Sequence, residues 1–101
     1  MPEMSKRTAK KLLADVPHEH VFRFHDGRIL RNMGELREAL KTMNKDTFAF
    51  HVSAQKNDFS NWVRDVIGDQ KLARDLDRSS NRTQAAKKVA ERVAFLSSKR
   101  S

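Results

Sequence analysis

HVFRFHDGRILRN, residues 20–32, decides the fold class. Aromatic and branched residues stand on both sides of Asp26-Gly27, and a glycine accepting positive φ in a two-residue loop is a strong hairpin signal. That register sets Phe24 against Ile29, Arg23 against Leu30 and His25 against Arg28. Phe22, Phe24 and Ile29 then form the buried face, while His25 and Arg28 flank the turn. The rest of the chain repeats its apolar residues at helical spacing, so the expected fold is helix-dominant α+β, with one β-hairpin packed against four or five short helices.

Working outward, SKRTAKKLLADV (5–16) reads as a helix capped by Ser5 and ended by Pro17, with Leu12, Leu13 and Val16 on one side. Its basic first half is expected to fray or to order on binding. After the hairpin, Asn32 caps a helix in which Leu36, Ala39, Leu40 and Met43 share a face, with Glu35 completing a capping box. DTFAFHVSA alternates like a strand, but Asp46 resembles an N-cap and Phe48, His51 and Val52 share a helical face; a short helix is expected. NDFSNWVRDVIG (57–68) is the clearest helix, capped by Asn57 or Asp58 and ended by Gly68, with an apolar stripe of Phe59, Trp62, Val63, Val66 and Ile67. Asp69 restarts a helix through Leu72, Ala73 and Leu76. Asn81 caps the last one, whose Ala85, Ala86, Val89, Val93 and Leu96 face the core. The expectation is one domain over residues 1–101, with a basic helix at 1–15 and a globular core over 18–97.

The 101 residues carry a net charge of +8 and no cysteine, so disulfides and thiolate chemistry are excluded. The charge is uneven. Residues 80–101 hold six bases (Arg82, Lys87, Lys88, Arg92, Lys99, Arg100) against Glu91 alone, or +5. Residues 1–15 hold Lys6, Arg7, Lys10 and Lys11 against Glu3 and Asp15, or +2. Residues 33–79 hold eight bases and eight acids. Solubility does not require such an excess at the two ends, whereas a phosphate backbone attracts it through counterion release. In the last helix Lys88, Arg92 and Lys99 fall beside one another with Phe95 among them, the pattern of a surface that tracks a nucleic-acid backbone. Arg23, Arg28 and Arg31, with His25, make the hairpin a second basic element. The alternative for Phe95 is packing against the first helix while the bases extend around it.

Other chemistries fit less well. The two helices around Gly68 have the outline of a helix-turn-helix, but Asp75 and Asp77 would face the duplex and repel phosphate. His18, His20, His25 and His51 provide no fixed third ligand for a metal, so no metal site and no cofactor are expected. Asp58, Asp65, Asp69 and His51 could serve a nuclease only if gathered in a concavity, and the three scattered glycines form no phosphate loop. No enzymatic activity or small-molecule substrate is expected. There is no apolar run of signal-peptide or membrane-spanning length, which makes the expected location cytoplasmic, in association with the nucleoid.

FRFHDGRILRNMGELREALKTM, TFAFHV and KNDFSNWVRDVIGDQKLA together resemble a small, mainly archaeal family of unknown function. Its pattern is a short aromatic strand, a glycine turn, a capped helix with Glu-Leu, a Phe-x-x-His-Val step and Asn-Asp-Phe-x-x-Trp-[Ile/Val]. The resemblance spans about residues 20–76, and the recurring positions fall on His51, Asn57, Asp58, Phe59 and Trp62. It brings no activity with it. Phe59 and Trp62 read as core filler, while His51, Asn57, Asp58 and Phe95 are candidates for a partner surface. The expected function is low-specificity binding of double-stranded DNA through phosphates, with DNA favoured over RNA and self-association a further expectation. The alternative is a protein-interaction or regulatory module that binds no nucleic acid.

Overall fold

Every α-helix begins on a side chain that accepts a hydrogen bond from the amide three residues on. Ser5 serves α1 (Lys6–Leu13), Asn32 serves α2 (Met33–Thr42) and Asn44 serves α3 (Lys45–His51). Asn57 serves α4 (Asp58–Trp62), Asp69 serves α5 (Gln70–Asp77) and Asn81 serves α6 (Arg82–Arg100). Each cap is worth about 1 kcal/mol, so these six polar residues fix where the helices start. The computed structural model describes residues 4–24 and 26–101. The fold is helix-dominant α+β, with β1 (Phe22–Arg23) and β2 (Ile29–Leu30) as a two-stranded antiparallel sheet.

The hairpin register differs from the expected one by a single residue. Phe22 pairs with Leu30 and Arg23 with Ile29. The Phe24 amide donates to the Arg28 carbonyl at 2.9 Å and the Gly27 amide to the Phe24 carbonyl at 3.1 Å. Gly27 has φ +95°, so the connection is a three-residue loop ending in a left-handed glycine rather than a two-residue Asp-Gly turn. Asp26 supports it by accepting from the Arg28 amide at 3.1 Å. Because side chains alternate along a strand, a one-residue slip exchanges faces. Leu30 is therefore buried beside Phe22 and Phe24, and Ile29, expected inside, is exposed. His25, placed at the turn by the sequence, lies outside the described residues.

Three smaller differences have local causes. Helix α1 stops at Leu13, not at Val16, because the Val16 amide is taken by the Arg31 carbonyl at 2.8 Å. Helix α3 starts from Asn44, two residues before the expected Asp46. The Glu35 carboxylate does not close a box on Asn32; it accepts from the Arg31 amide at 2.7 Å and pairs with the Arg31 guanidinium at 2.9 Å.

One hydrophobic core joins all these elements. Ala9 and Leu12 of α1 are buried, and α1 and α2 both pack against α6 through its Val89, Val93 and Leu96. The α4 stripe supplies Phe59, Trp62 and Val63. The Trp62 indole N–H donates to the His20 carbonyl at 2.8 Å, fastening the segment before the hairpin to the core. Beyond Trp62 the helix widens into a π turn over Val63–Ile67, closed by Gly68 N–H to Val63 carbonyl at 2.8 Å. Gly68, at φ +92°, reverses the chain, and Asp69 at once caps α5.

Candidate nucleic-acid interface

Packing of α1 on α6 brings the two basic ends of the sequence together. Helix α1 presents Lys6, Arg7, Lys10 and Lys11, all exposed, and contains no acid. On α6, Lys87, Lys88, Lys99 and Arg100 are exposed. None of these except Lys88 has a carboxylate within ion-pair distance among the described residues; Lys88 has Glu91 at 3.9 Å. Met4, just before α1, shares a cleft of about 500 Å³ with Phe95 and Arg92 of α6. The head of α1 thus lies beside the C-terminal half of α6.

Arg92 is a correction. The sequence places it in the exposed row, but its guanidinium forms two hydrogen bonds to Asp69, from Nε at 2.7 Å and from a terminal nitrogen at 3.2 Å. The Asp69 side chain is 1% exposed and that of Arg92 12%. A carboxylate buried so deeply requires a partner, and a two-pronged guanidinium satisfies it. Arg92 therefore joins α6 to the start of α5. Arg82 is also structural, donating to the Leu40 carbonyl at 2.7 Å and the Lys41 carbonyl at 3.2 Å at the end of α2.

The hairpin bases are largely compensated. Arg28 pairs with Asp26 at 3.0 Å and lies over the Phe24 ring, and Arg31 pairs with Glu35. Arg23 is exposed and has no ion pair among the described residues.

Sequence reasoning missed the contribution of α5. Along the seam between α5 and α6 lie two clefts that share Asp75 and Lys88 in their walls. Lys71 lies at one end, with Phe95, and Arg78 and Lys87 at the other. Positions 71, 74 and 78 share one face of a helix, and Lys71, Arg74 and Arg78 are all exposed. That spacing was available in the sequence, but the neighbouring aspartates concealed it. Lys71 hydrogen-bonds Asp75 at 2.8 Å and, against the opposing effect of partial burial, holds its carboxyl below the usual range, with Lys88 and Arg78 adding to the same direction. Asp77 is compensated likewise by Arg64 at 2.7 Å and by the Ser60 hydroxyl at 2.5 Å. The aspartates expected to repel phosphate are thus already engaged by cations.

Phe95 is 40% exposed and forms part of the groove wall. The Arg92 guanidinium carbon and the Lys99 ammonium lie 5.3 and 5.6 Å from its ring centroid, one helical turn to either side.

Of the expected partner-surface residues, His51 is internal, whereas Asn57 and Asp58 are half-buried. His51 is 3% exposed, ringed by Phe22, Phe24, Phe50 and Phe59, and its Nδ1 lies 3.0 Å from Asp58. Burial of the Asp58 carboxyl works to raise its pKa, but the hydrogen bonds from His51 and Lys56 prevail and lower it. Asn57 caps α4 and donates to the Leu76 carbonyl at 3.3 Å, tying α4 to α5. His51 and Asn57 are spent on the fold, and Asp58 joins them to solvent-facing Lys56 at 3.0 Å. Among the described residues no group of three His, Cys, Asp or Glu is arranged to hold a metal ion, and no helix is long and apolar enough to cross a membrane.

Residues 17–94 match the family of unknown function DUF5752, and the chain belongs to that family. No curated protein and no solved structure matches it. The matched span begins after α1 and ends within α6, so Lys6, Arg7, Lys10, Lys11, Lys99 and Arg100 lie outside it.

Proposed function

We propose that this family member binds nucleic acid, preferentially double-stranded DNA with little sequence preference, through phosphate contacts. The observation that carries the reading is the packing of α1 along α6, which sets two sparsely acidic, base-rich stretches side by side. Lys6, Arg7, Lys10, Lys11, Lys87, Lys88, Lys99 and Arg100 are the contacting residues, and Arg78 extends the surface along α5. Arg23 is the hairpin base best placed for a further contact. Arg92 and Arg82 act through the fold rather than on the ligand. The reading includes no base-edge recognition, because the exposed bases are mostly flexible lysines, which act as point charges. Nucleoid association, and an archaeal lineage marked by the Asn-Asp-Phe-x-x-Trp motif, are parts of the same proposal.

The test is the salt dependence of binding to a mixed-sequence duplex. Each neutralised phosphate contributes about −0.9 to the log–log slope, so six or more contacts give a slope steeper than about −4. A slope near zero, or no retention of the duplex at roughly 150 mM salt, overturns the proposal.

A further inference from the structure

We infer that the groove between α5 and α6 holds a short single-stranded segment, with one unpaired base stacked against Phe95 and the adjoining phosphates on the lysines around it. The inference rests on the nucleic-acid reading and adds to it a second mode of binding. A lone exposed phenylalanine is ordinary on a protein surface. Phe95 differs because it lines a cleft of about 500 Å³ together with Met4, Lys71, Lys88 and the two acids Asp75 and Glu91. That volume lies within the range that encloses small planar ligands.

A nucleotide combines a flat apolar face with an adjacent negative charge, and the groove offers an exposed ring with Lys99 and Lys88 beside it, Lys88 only loosely held by Glu91 at 3.9 Å. The Phe95 ring offers its exposed portion for stacking, which tolerates any base because every base has a π-face. Arg92 stays beside the ring, since Asp69 holds its guanidinium by two hydrogen bonds, so it positions Phe95 and takes no phosphate itself. Lys99 is exposed, with its ammonium 5.6 Å from the ring centroid and no carboxylate partner among the described residues, which allows it to turn to a phosphate. Lys88 lies seven residues before Phe95, about 10 Å along the helix, and from there the groove continues past Asp75 to Arg78 and Lys87. A paired duplex could use these cations but not the ring, because its bases are stacked on one another. Only an unpaired base uses both.

The experiment compares full-length protein with Phe95→Ala, Phe95→Leu and Phe95→Trp by fluorescence anisotropy. The probes are a mixed-sequence single strand of about 12 nucleotides, within the site sizes of sequence-tolerant binders, and a duplex of the same sequence. Phe95→Ala and Phe95→Leu should each weaken single-strand binding by about tenfold and leave duplex binding within about twofold, with Phe95→Trp close to the parent. Leucine preserves apolar bulk in the cleft wall, so its loss of affinity reports the ring and not the fold. Retained single-strand affinity in Phe95→Leu, or equal losses on both probes, overturns the stacking inference while leaving the phosphate reading in place. Parent protein that binds only the single strand supports the groove and overturns the duplex preference. Failure to bind either probe ends both.

Discussion

Replacing Arg92 by alanine should be among the most damaging substitutions of a base in this protein. The change leaves the Asp69 carboxylate, 1% exposed, without the two hydrogen bonds that now satisfy it. Removing one member of a buried ion pair costs about 3–5 kcal/mol, a large part of the 5–15 kcal/mol that holds a typical domain folded. At about 4–8 °C per kcal/mol for a domain near this size, even the lower figure moves the melting temperature down by roughly 12–24 °C. Two companions separate charge from packing. Arg92→Met keeps an apolar stem along the α5–α6 contact and should be nearly as costly, because the carboxylate is still orphaned. Asp69→Asn keeps an oxygen to accept from the Leu72 amide, as Asp69 does now at 3.1 Å, and removes the charge; in that background Arg92→Ala should cost far less than alone. Thermal and urea unfolding of the parent, Arg92→Ala, Asp69→Asn and the double variant gives the coupling energy directly. A melting temperature for Arg92→Ala within about 4 °C of the parent refutes the reasoning. It would return Arg92 to the set of bases available for phosphate.

Other substitutions test separate parts of the structure. Replacing Lys87, Lys88 and Lys99 together by alanine should flatten the salt slope of duplex binding by about 2.7 with the melting temperature little changed, and an unaltered slope would remove α6 from the interface. Asp58 has a folded-state pKa lowered by His51 and Lys56, so its contribution to stability is present above the ordinary carboxylate pKa and is lost as pH falls through the lowered value. Urea unfolding across the acid range should show Asp58→Asn with a weaker acid dependence than the parent; identical curves would contradict the assignment. Gly68→Ala should cost about 1–2 kcal/mol, the conformational cost of a left-handed residue, since a Cβ there meets nothing within 4 Å; Gly68→Asn should recover part of it. Trp62→Phe removes the hydrogen bond to the His20 carbonyl and should destabilise by about 1 kcal/mol from that loss alone, measurable by chemical unfolding.

Helix starts were legible because the signal is local. Ser5, Asn32, Asp69 and Asn81 are short acceptors standing before apolar-periodic runs, and all four cap the helices they announce; of the two candidates Asn57 and Asp58, Asn57 caps α4. The α3 cap was misplaced because Asn44 and Asp46 are equally good acceptors, and only packing of Thr47 and His51 decides the phase. The hairpin was legible but its register was not. Asp26-Gly27 supports a two-residue or a three-residue loop, and the choice rests on whether Ile29 or Leu30 meets the core. Charge was the least legible property at the level of single residues. Composition places Arg92 beside Lys88, but long-range contact with Asp69 removes it from the surface. The same blindness hid Lys71 and Arg78, whose aspartate neighbours looked repulsive until their ion pairs were visible.

The arrangement of α1 and α2 against α6 also bears on how the chain acquires its shape. Residues 6–13 find their principal packing surface only in residues 82–100, and Arg82 ties itself to carbonyls of residues 40 and 41. Such distant pairings raise contact order and slow folding relative to a bundle of sequential neighbours. While a ribosome is still elongating the chain, the apolar side of the first helix has only the smaller contact with α2 to cover it until the last helix emerges.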